Sequence, residues 1–211
     1  MSGYLMPAIN GTHEVTIDRS RFICHVYRVT TVEQATIYIN EVREAHDRAN
    51  HNCVAYLIGE QNEFGRAADD GEPSGTAGAP MLEVLQRQNI RNCLVVVTRY
   101  FGGVKLGAGG LIRAYGSAVS EGLKAVGLVR RVKIASIWLT CEYSLFDTLQ
   151  SKIKGQGYSV GLVEYSDRVK LEALVDVVDT EKFTRWLVEF TNDTVVYQVG
   201  EISFKELPYE G

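Results

Sequence analysis

Cys93-Leu94-Val95-Val96-Val97-Thr98-Arg99-Tyr100-Phe101-Gly102-Gly103-Val104-Lys105-Leu106-Gly107-Ala108-Gly109-Gly110 passes from an unbroken apolar run into a loop containing five glycines. Residues 93–97 have the length and composition of a strand buried on both faces. The glycines end that strand. Beyond them Leu111, Tyr115, Val119 and Leu123 recur at helical spacing to about residue 126, where Gly127 supplies a stop. A strand, a glycine loop and a helix in succession leave backbone N–H groups free at the helix start, and the helix dipole favours an anion there. Lys105 and Arg113 add positive charge at the same end. The spacing is neither a Walker A loop nor a dinucleotide fingerprint, because the Gly107–Gly110 spacing differs and no acidic residue follows at the required distance. The same glycines also suit tight turns and close helix–sheet packing.

Upstream, residues 13–17 and 22–29 read as strands, the second alternating Phe22, Cys24, Val26 with Ile23, His25, Tyr27. Thr30 with Glu33 three residues later resembles a capping box, opening a helix to about residue 46. Residues 53–58 form a third strand, and 59–65 a polar loop. A second glycine-rich loop, Asp69 to Pro80, interrupts regular structure, after which Met81, Leu82 and Leu85 give a short helix its apolar face. Downstream, Arg130-Arg131-Val132-Lys133 is the expected boundary between an N-terminal domain, residues 1–131, and a C-terminal domain, residues 132–211. The second half reads strand 134–143, helix from Ser144 to about 155, strands 158–165 and 169–177, helix 180–191 and strand 194–204. Phe183, Trp186, Leu187 and Phe190 form the apolar face of that last helix. This β-α-β-β-α-β order predicts a ferredoxin-like, four-stranded antiparallel sheet with two helices on one face, and an α+β protein overall.

Composition narrows the class. The 211 residues are 45% hydrophobic and 23% charged, ordinary for a globular chain. No apolar run reaches the roughly 20 residues a membrane span needs, and the N-terminus lacks a secretory pattern. Cys24, Cys53, Cys93 and Cys141 lie singly in apolar runs, which points to buried thiols in a cytoplasmic protein rather than a zinc site. The net charge of −4 comes entirely from the second half, since residues 1–130 carry 13 basic and 13 acidic side chains. Val84 to Ser120 holds Arg87, Arg91, Arg99, Lys105 and Arg113 without one carboxylate.

The candidate ligand- or anion-binding residues are therefore Arg99, Tyr100, Gly102, Gly103, Lys105, Gly107, Gly109, Gly110 and Arg113. One ring of Tyr100-Phe101 could stack on a base, with alternation favouring Phe101 as the buried one. Asp69, Asp70 and Glu72 form an acidic loop. It suits a metal or base site, a cap near the Pro80 helix, or pairing with Arg99 and Lys105. His51 and Cys53 share a strand face but lack the orienting group and oxyanion donor a nucleophile requires. No catalytic residue, metal or cofactor is assigned.

Arg19-Ser20-Arg21-Phe22, His51-Asn52-Cys53, Asp69-Asp70-Gly71-Glu72-Pro73-Ser74-Gly75-Thr76-Ala77-Gly78 and Arg99-Tyr100-Phe101-Gly102-Gly103-Val104-Lys105-Leu106-Gly107 resemble the YigZ branch of the IMPACT family over nearly the whole chain. The resemblance implies an N-terminal domain like the second domain of ribosomal protein S5 and a C-terminal domain similar to one of elongation factor G. It further implies a translation-associated role, with RNA, the ribosome or a protein of the translation machinery as partner. The resemblance further implies relatives in eukaryotes that regulate translation by protein binding and carry a different accessory domain, not expected in this chain, and it offers no catalytic residues to transfer. Three functional classes follow: a translation-associated binding module, a phosphate-ligand enzyme using the Asp69–Glu72 loop, and a purely protein-binding regulator.

Overall fold

The computed structural model describes residues 3–209; the outermost positions of the two expected domains, residues 1–2 and 210–211, lie outside the described residues. The protein is a mixed α+β chain dividing into two compact units. One comprises Tyr4–Arg130 with the chain end from Leu207, the other chiefly Arg131–Glu206.

The first unit contains β1 (Tyr4–Pro7), β2 (Gly11–Ile17), β3 (Ser20–Arg28), α1 (Val32–Ala45), β4 (His51–Ile58), β5 (Phe64–Ala68), α2 (Gly78–Arg87), β6 (Cys93–Tyr100) and α3 (Gly107–Val126). Its antiparallel sheet has the order β2-β3-β6-β4-β5. Period-two alternation builds two cores from the same strands. Phe22, Cys24 and Val26, with Cys53, Ala55, Leu57, Cys93, Val95 and Val97, pack against Met81 and Leu85 of α2 and Leu111, Tyr115, Val119 and Leu123 of α3. The intervening Val54, Tyr56, Ile58, Leu94 and Val96 meet Ala35, Ile39 and Val42 of α1 on the opposite face. Asp18 and Arg19, both at positive φ, turn β2 into β3 as a two-residue hairpin requires.

Local chemistry shifts several boundaries. The cap of α1 is Thr31, not Thr30: its hydroxyl accepts from the N–H of Gln34, and the Gln34 side chain accepts from the Thr30 N–H. β5 occupies part of the expected 59–65 loop. Four of its five residues are exposed, so no apolar alternation announced it. β1, also unanticipated, is short and uniformly buried.

Further along run β7 (Leu128–Cys141), α4 (Tyr143–Gly155), β8 (Ser159–Tyr165), β9 (Val169–Asp176), a single 3₁₀ turn, α5 (Thr180–Thr191) and β10 (Val196–Tyr209). The sheet order is β1-β7-β9-β8, with β10 also pairing β7. β9 lies antiparallel to β7 and β8. Leu149 and Ile153 of α4 and Phe183 and Leu187 of α5 join one cluster with Ala135, Ile137, Leu139, Val169, Leu171 and Ala173. Both helices therefore cover the same face. The N-cap position of α4 is Glu142, whose side chain makes no capping bond; Ser144 lies inside the helix. Among the described residues no helix is long and apolar enough to cross a membrane.

Candidate functional site

Strand alternation at the end of β6 sends Arg99 toward α2 and α3 and Tyr100 toward α1. Arg99 is only 5% exposed. Its Nη1 donates to Glu72 Oε1 at 2.7 Å and its Nη2 to Ser20 Oγ at 3.4 Å. The guanidinium lies near the rings of Phe22 and Phe101, at 5.3 and 5.6 Å. Its Nε is buried without a hydrogen-bond partner. Glu72 Oε1 also accepts from the Tyr115 hydroxyl at 2.8 Å and stands 3.8 Å from His51 Nε2. His51 Nδ1 is 2.9 Å from the Asp70 carbonyl. A carbonyl only accepts, so in that contact Nδ1 donates. Cys53 Sγ lies 2.9 Å from the Asp69 carbonyl and 3.3 Å from Tyr115 Oη. Burial pushes the Cys53 thiol up to about 12 and the Tyr115 phenol well above its ordinary value, so both are neutral in water. All four cysteines are free and buried.

The acidic loop divides rather than converges. Asp69 accepts from the N–H groups of Gly75 (2.8 Å), Ala77 (3.1 Å) and Gly78 (2.8 Å), closing the loop and capping α2. Partial burial opposes its ionisation, but the bonds from Gly75, Gly78 and Ala77 prevail and hold its carboxyl below the usual range. Asp70 accepts from the Asn52 N–H at 2.7 Å and from Arg43 at 3.2 Å. Only Glu72 faces Arg99. Among the described residues no cluster of three His, Cys, Asp or Glu is arranged to hold a metal ion.

The Gly102–Gly110 loop is held close against the β2–β3 turn. Gly102 N–H donates to Ser20 Oγ at 3.2 Å, and a Cβ on Gly102 would collide with the Arg19 carbonyl. Gly103 and Gly107 take φ values of 88° and 67°. α3 begins with no capping side chain and no acidic residue in its first turn. Beside that start lies a cavity of about 280 Å³, lined by Glu72, Arg99, Phe101, Lys105, Gly107 and Leu111 among others. A hollow of about 260 Å³ is lined by Asp18, Gly110, Arg113 and Ser117.

The candidate residues thus separate. Arg99, Lys105 and Gly107 line the cavity; Gly109 and Gly110 form the first turn of α3, where a Gly109 Cβ would stand 3.6 Å from Arg113. Lys105 and Arg113 are exposed, and among the described residues neither makes a salt bridge. Tyr100 belongs to the other sheet face, its hydroxyl 2.9 Å from His46 Nδ1 and its ring beneath Arg21. Phe101, expected to be the buried ring of the pair, is 47% exposed and lines the cavity, while Tyr100 is half-buried. Arg87 is paired with Glu83 at 2.6 Å, and Arg91 bonds Asn89 and covers the ring of Tyr4. Ser20, His51 and Tyr115 were not among the candidates. Tyr115 sits in the apolar stripe of α3, where spacing marks it only as core, and Ser20 sits between two arginines.

Residues 18–123 match the Impact N-terminal domain, and residues 139–194 match a domain of unknown function, DUF1949. The chain is 43% identical over 196 residues to the IMPACT family member YvyE of Bacillus subtilis, covering 93% of this chain and 90% of that one. It is 32% identical to the IMPACT family member YigZ of Escherichia coli, covering 92% and 97%. Protein IMPACT of Oryctolagus cuniculus is 31% identical over 145 residues, covering 61% of this chain and 45% of that protein. A crystal structure described as a hypothetical protein superposes with a TM-score of 0.58 at 30% identity, covering 95% of this chain and 98% of that one. The chain belongs to the IMPACT family.

Proposed function

We propose that this protein is a cytoplasmic, translation-associated binding protein that contacts RNA or the ribosome through the start of α3. The carrying observation is an uncapped twenty-residue helix with no acidic residue in its first turn, flanked by the exposed cations Lys105 and Arg113. Of the five basic residues between Val84 and Ser120, Arg99 is committed to Glu72, Arg87 is paired with Glu83, and Arg91 bonds Asn89 and lies over the Tyr4 ring, which leaves Lys105 and Arg113. The recognition surface is accordingly a compact two-cation site rather than a broad patch. The excess of acidic residues beyond residue 130 opposes a polyanion at long range, but screening over about 8 Å at physiological salt lets local charge decide contact.

The fold reading is consistent with this role. The β-α-β-β-α-β succession from β7 to β10, with both helices on one face, supports a ferredoxin-like C-terminal domain over residues 132–211. The N-terminal domain, residues 1–131, is assigned the fold of the second domain of ribosomal protein S5. Fold relationship to translation components is analogy, and the chemistry of the α3 start carries the functional claim. An enzyme using the Asp69–Glu72 loop is disfavoured because Asp69 and Asp70 are committed to backbone N–H groups.

Ribosome or RNA affinity measured against salt, for the wild type and for Lys105→Ala with Arg113→Ala, tests the reading. A reduced salt slope in the variant supports it. Absence of binding at low salt removes it.

A further inference from the structure

We propose that β10 is a self-association edge: a second copy of this chain lays its own β10 antiparallel against the first across a two-fold axis, joining two sheets into one. This goes beyond the nucleic-acid reading and does not rest on it. β10 pairs with β7, and among the described residues no other strand pairs with it. An unpaired edge presents a row of backbone N–H and C=O groups that can accept another strand. The strand runs fourteen residues and meets its only proline at Pro208. Every residue from Val196 to Glu206 is exposed, with Val196, Val199 and Ile202 at 66%, 48% and 59%. The strand at the other end of the sheet order, β8, is interrupted by a register shift between Val160 and Val163, a device that blunts pairing.

What selects a second copy rather than a foreign strand is the sequence of the edge, Gly200-Glu201-Ile202-Ser203-Phe204-Lys205-Glu206. Placing the axis at Ser203 sets Glu201 opposite Lys205 of the second copy and, by symmetry, Lys205 opposite its Glu201. A two-fold contact makes each such pair twice. Successive side chains alternate, so Ile202 faces Phe204 of the second copy on the other surface of the sheet. Phe204 keeps 39% exposure although Arg131 lies over its ring. Opposite charges and aromatic–β-branched pairs set directly across from each other both favour strand pairing. Sliding by one residue, with Ser203 opposite Phe204, brings Glu201 against Glu206 and repels. Charges that only guard an edge need no such spacing. One strand edge is small against the roughly 1,200–2,000 Å² of a stable complex, so the dimer forms as concentration rises.

The test is sedimentation velocity of the full chain over a concentration series at low salt, for the wild type, Glu201→Lys, Lys205→Glu and the two exchanges together. The wild type should show a reversible monomer–dimer equilibrium. Each single reversal should raise the dimer Kd at least about tenfold, because two attractive pairs become two repulsive ones. The double exchange should restore the wild-type Kd to within about threefold. Within one chain, residues 201 and 205 lie about 13 Å apart along the strand, so no intrachain pair can produce that rescue. Ser203→Cys, on the axis, should cross-link to itself under mild oxidation, the four native thiols being buried. Val199→Cys, exposed but about 26 Å from its counterpart in this register, should not. A wild type that stays monomeric to about millimolar concentration overturns the proposal. So do single reversals that dimerise like the wild type, a double exchange no tighter than the singles, or Val199→Cys cross-linking as readily as Ser203→Cys.

Discussion

Arg99→Met isolates the energetics of the buried pair. The Arg99 and Glu72 side chains are 6% and 3% exposed, and their closest approach is 2.7 Å. Methionine can preserve much of the packing of the arginine stem between Phe22 and Phe101 while deleting the charge. The Glu72 carboxylate then remains buried with Tyr115 as its close donor and His51 at 3.8 Å. Removing one partner of a buried pair costs about 3–5 kcal/mol, a large fraction of the roughly 5–15 kcal/mol that holds a typical protein folded. Arg99→Met with Glu72→Gln should recover most of that loss, because glutamine can still accept from Tyr115 and carries no charge. The assay must report on the first unit. Trp138 and Trp186, the protein's two tryptophans, both lie in the second, so their fluorescence is unsuitable. Native-state hydrogen exchange of the β6 amides reads the relevant sheet. A loss below about 1 kcal/mol in Arg99→Met, or a double variant no more stable than the single, would refute the reasoning.

Asp69→Ala should destabilise the first unit by about 2 kcal/mol at neutral pH, since three N–H groups lose their acceptor and α2 its cap. The depressed pKa makes this contribution present above the ordinary carboxylate value and lost as pH falls through the folded value, so urea midpoints of variant and wild type should converge in acid. His25, lowered to about 4 by burial and by neighbouring His46, should stay neutral in NMR titrations until about that pH. Its contribution to stability is present above about 6.5 and lost as pH falls toward about 4. Thr98 Oγ1 donates to Asn52 Oδ1 and so must accept from His25 Nε2, which predicts the Nε2–H tautomer.

Strong periodicity made much of the fold legible. The apolar stripe of α3 announced itself because it buries one consistent face, and the alternation of β3 and the βαββαβ order were legible beside it. Elements without that signature were missed: β5 is mostly exposed, and β1 is four residues with no alternating face. The site was legible only as two glycine loops. Sequence adjacency grouped Arg99 with Lys105 and Arg113, but Arg99 is the last inward position of β6, and strand parity decides its fate. The acidic trio likewise looked like one group, whereas each carboxylate answers a different local demand. The links among Ser20, His51, Glu72, Arg99 and Tyr115 span up to 79 residues in sequence, beyond the reach of any local pattern.

The most direct test of the central claim is the dependence of RNA or ribosome affinity on salt concentration for the wild type and for Lys105→Ala with Arg113→Ala. Each phosphate contact removed should lower the slope of log affinity against log salt by about 0.7–0.9, so the double variant should lose about 1.4–1.8. A slope identical to the wild type's, or no association at low salt, would contradict the claim that the start of α3 is where this protein meets nucleic acid.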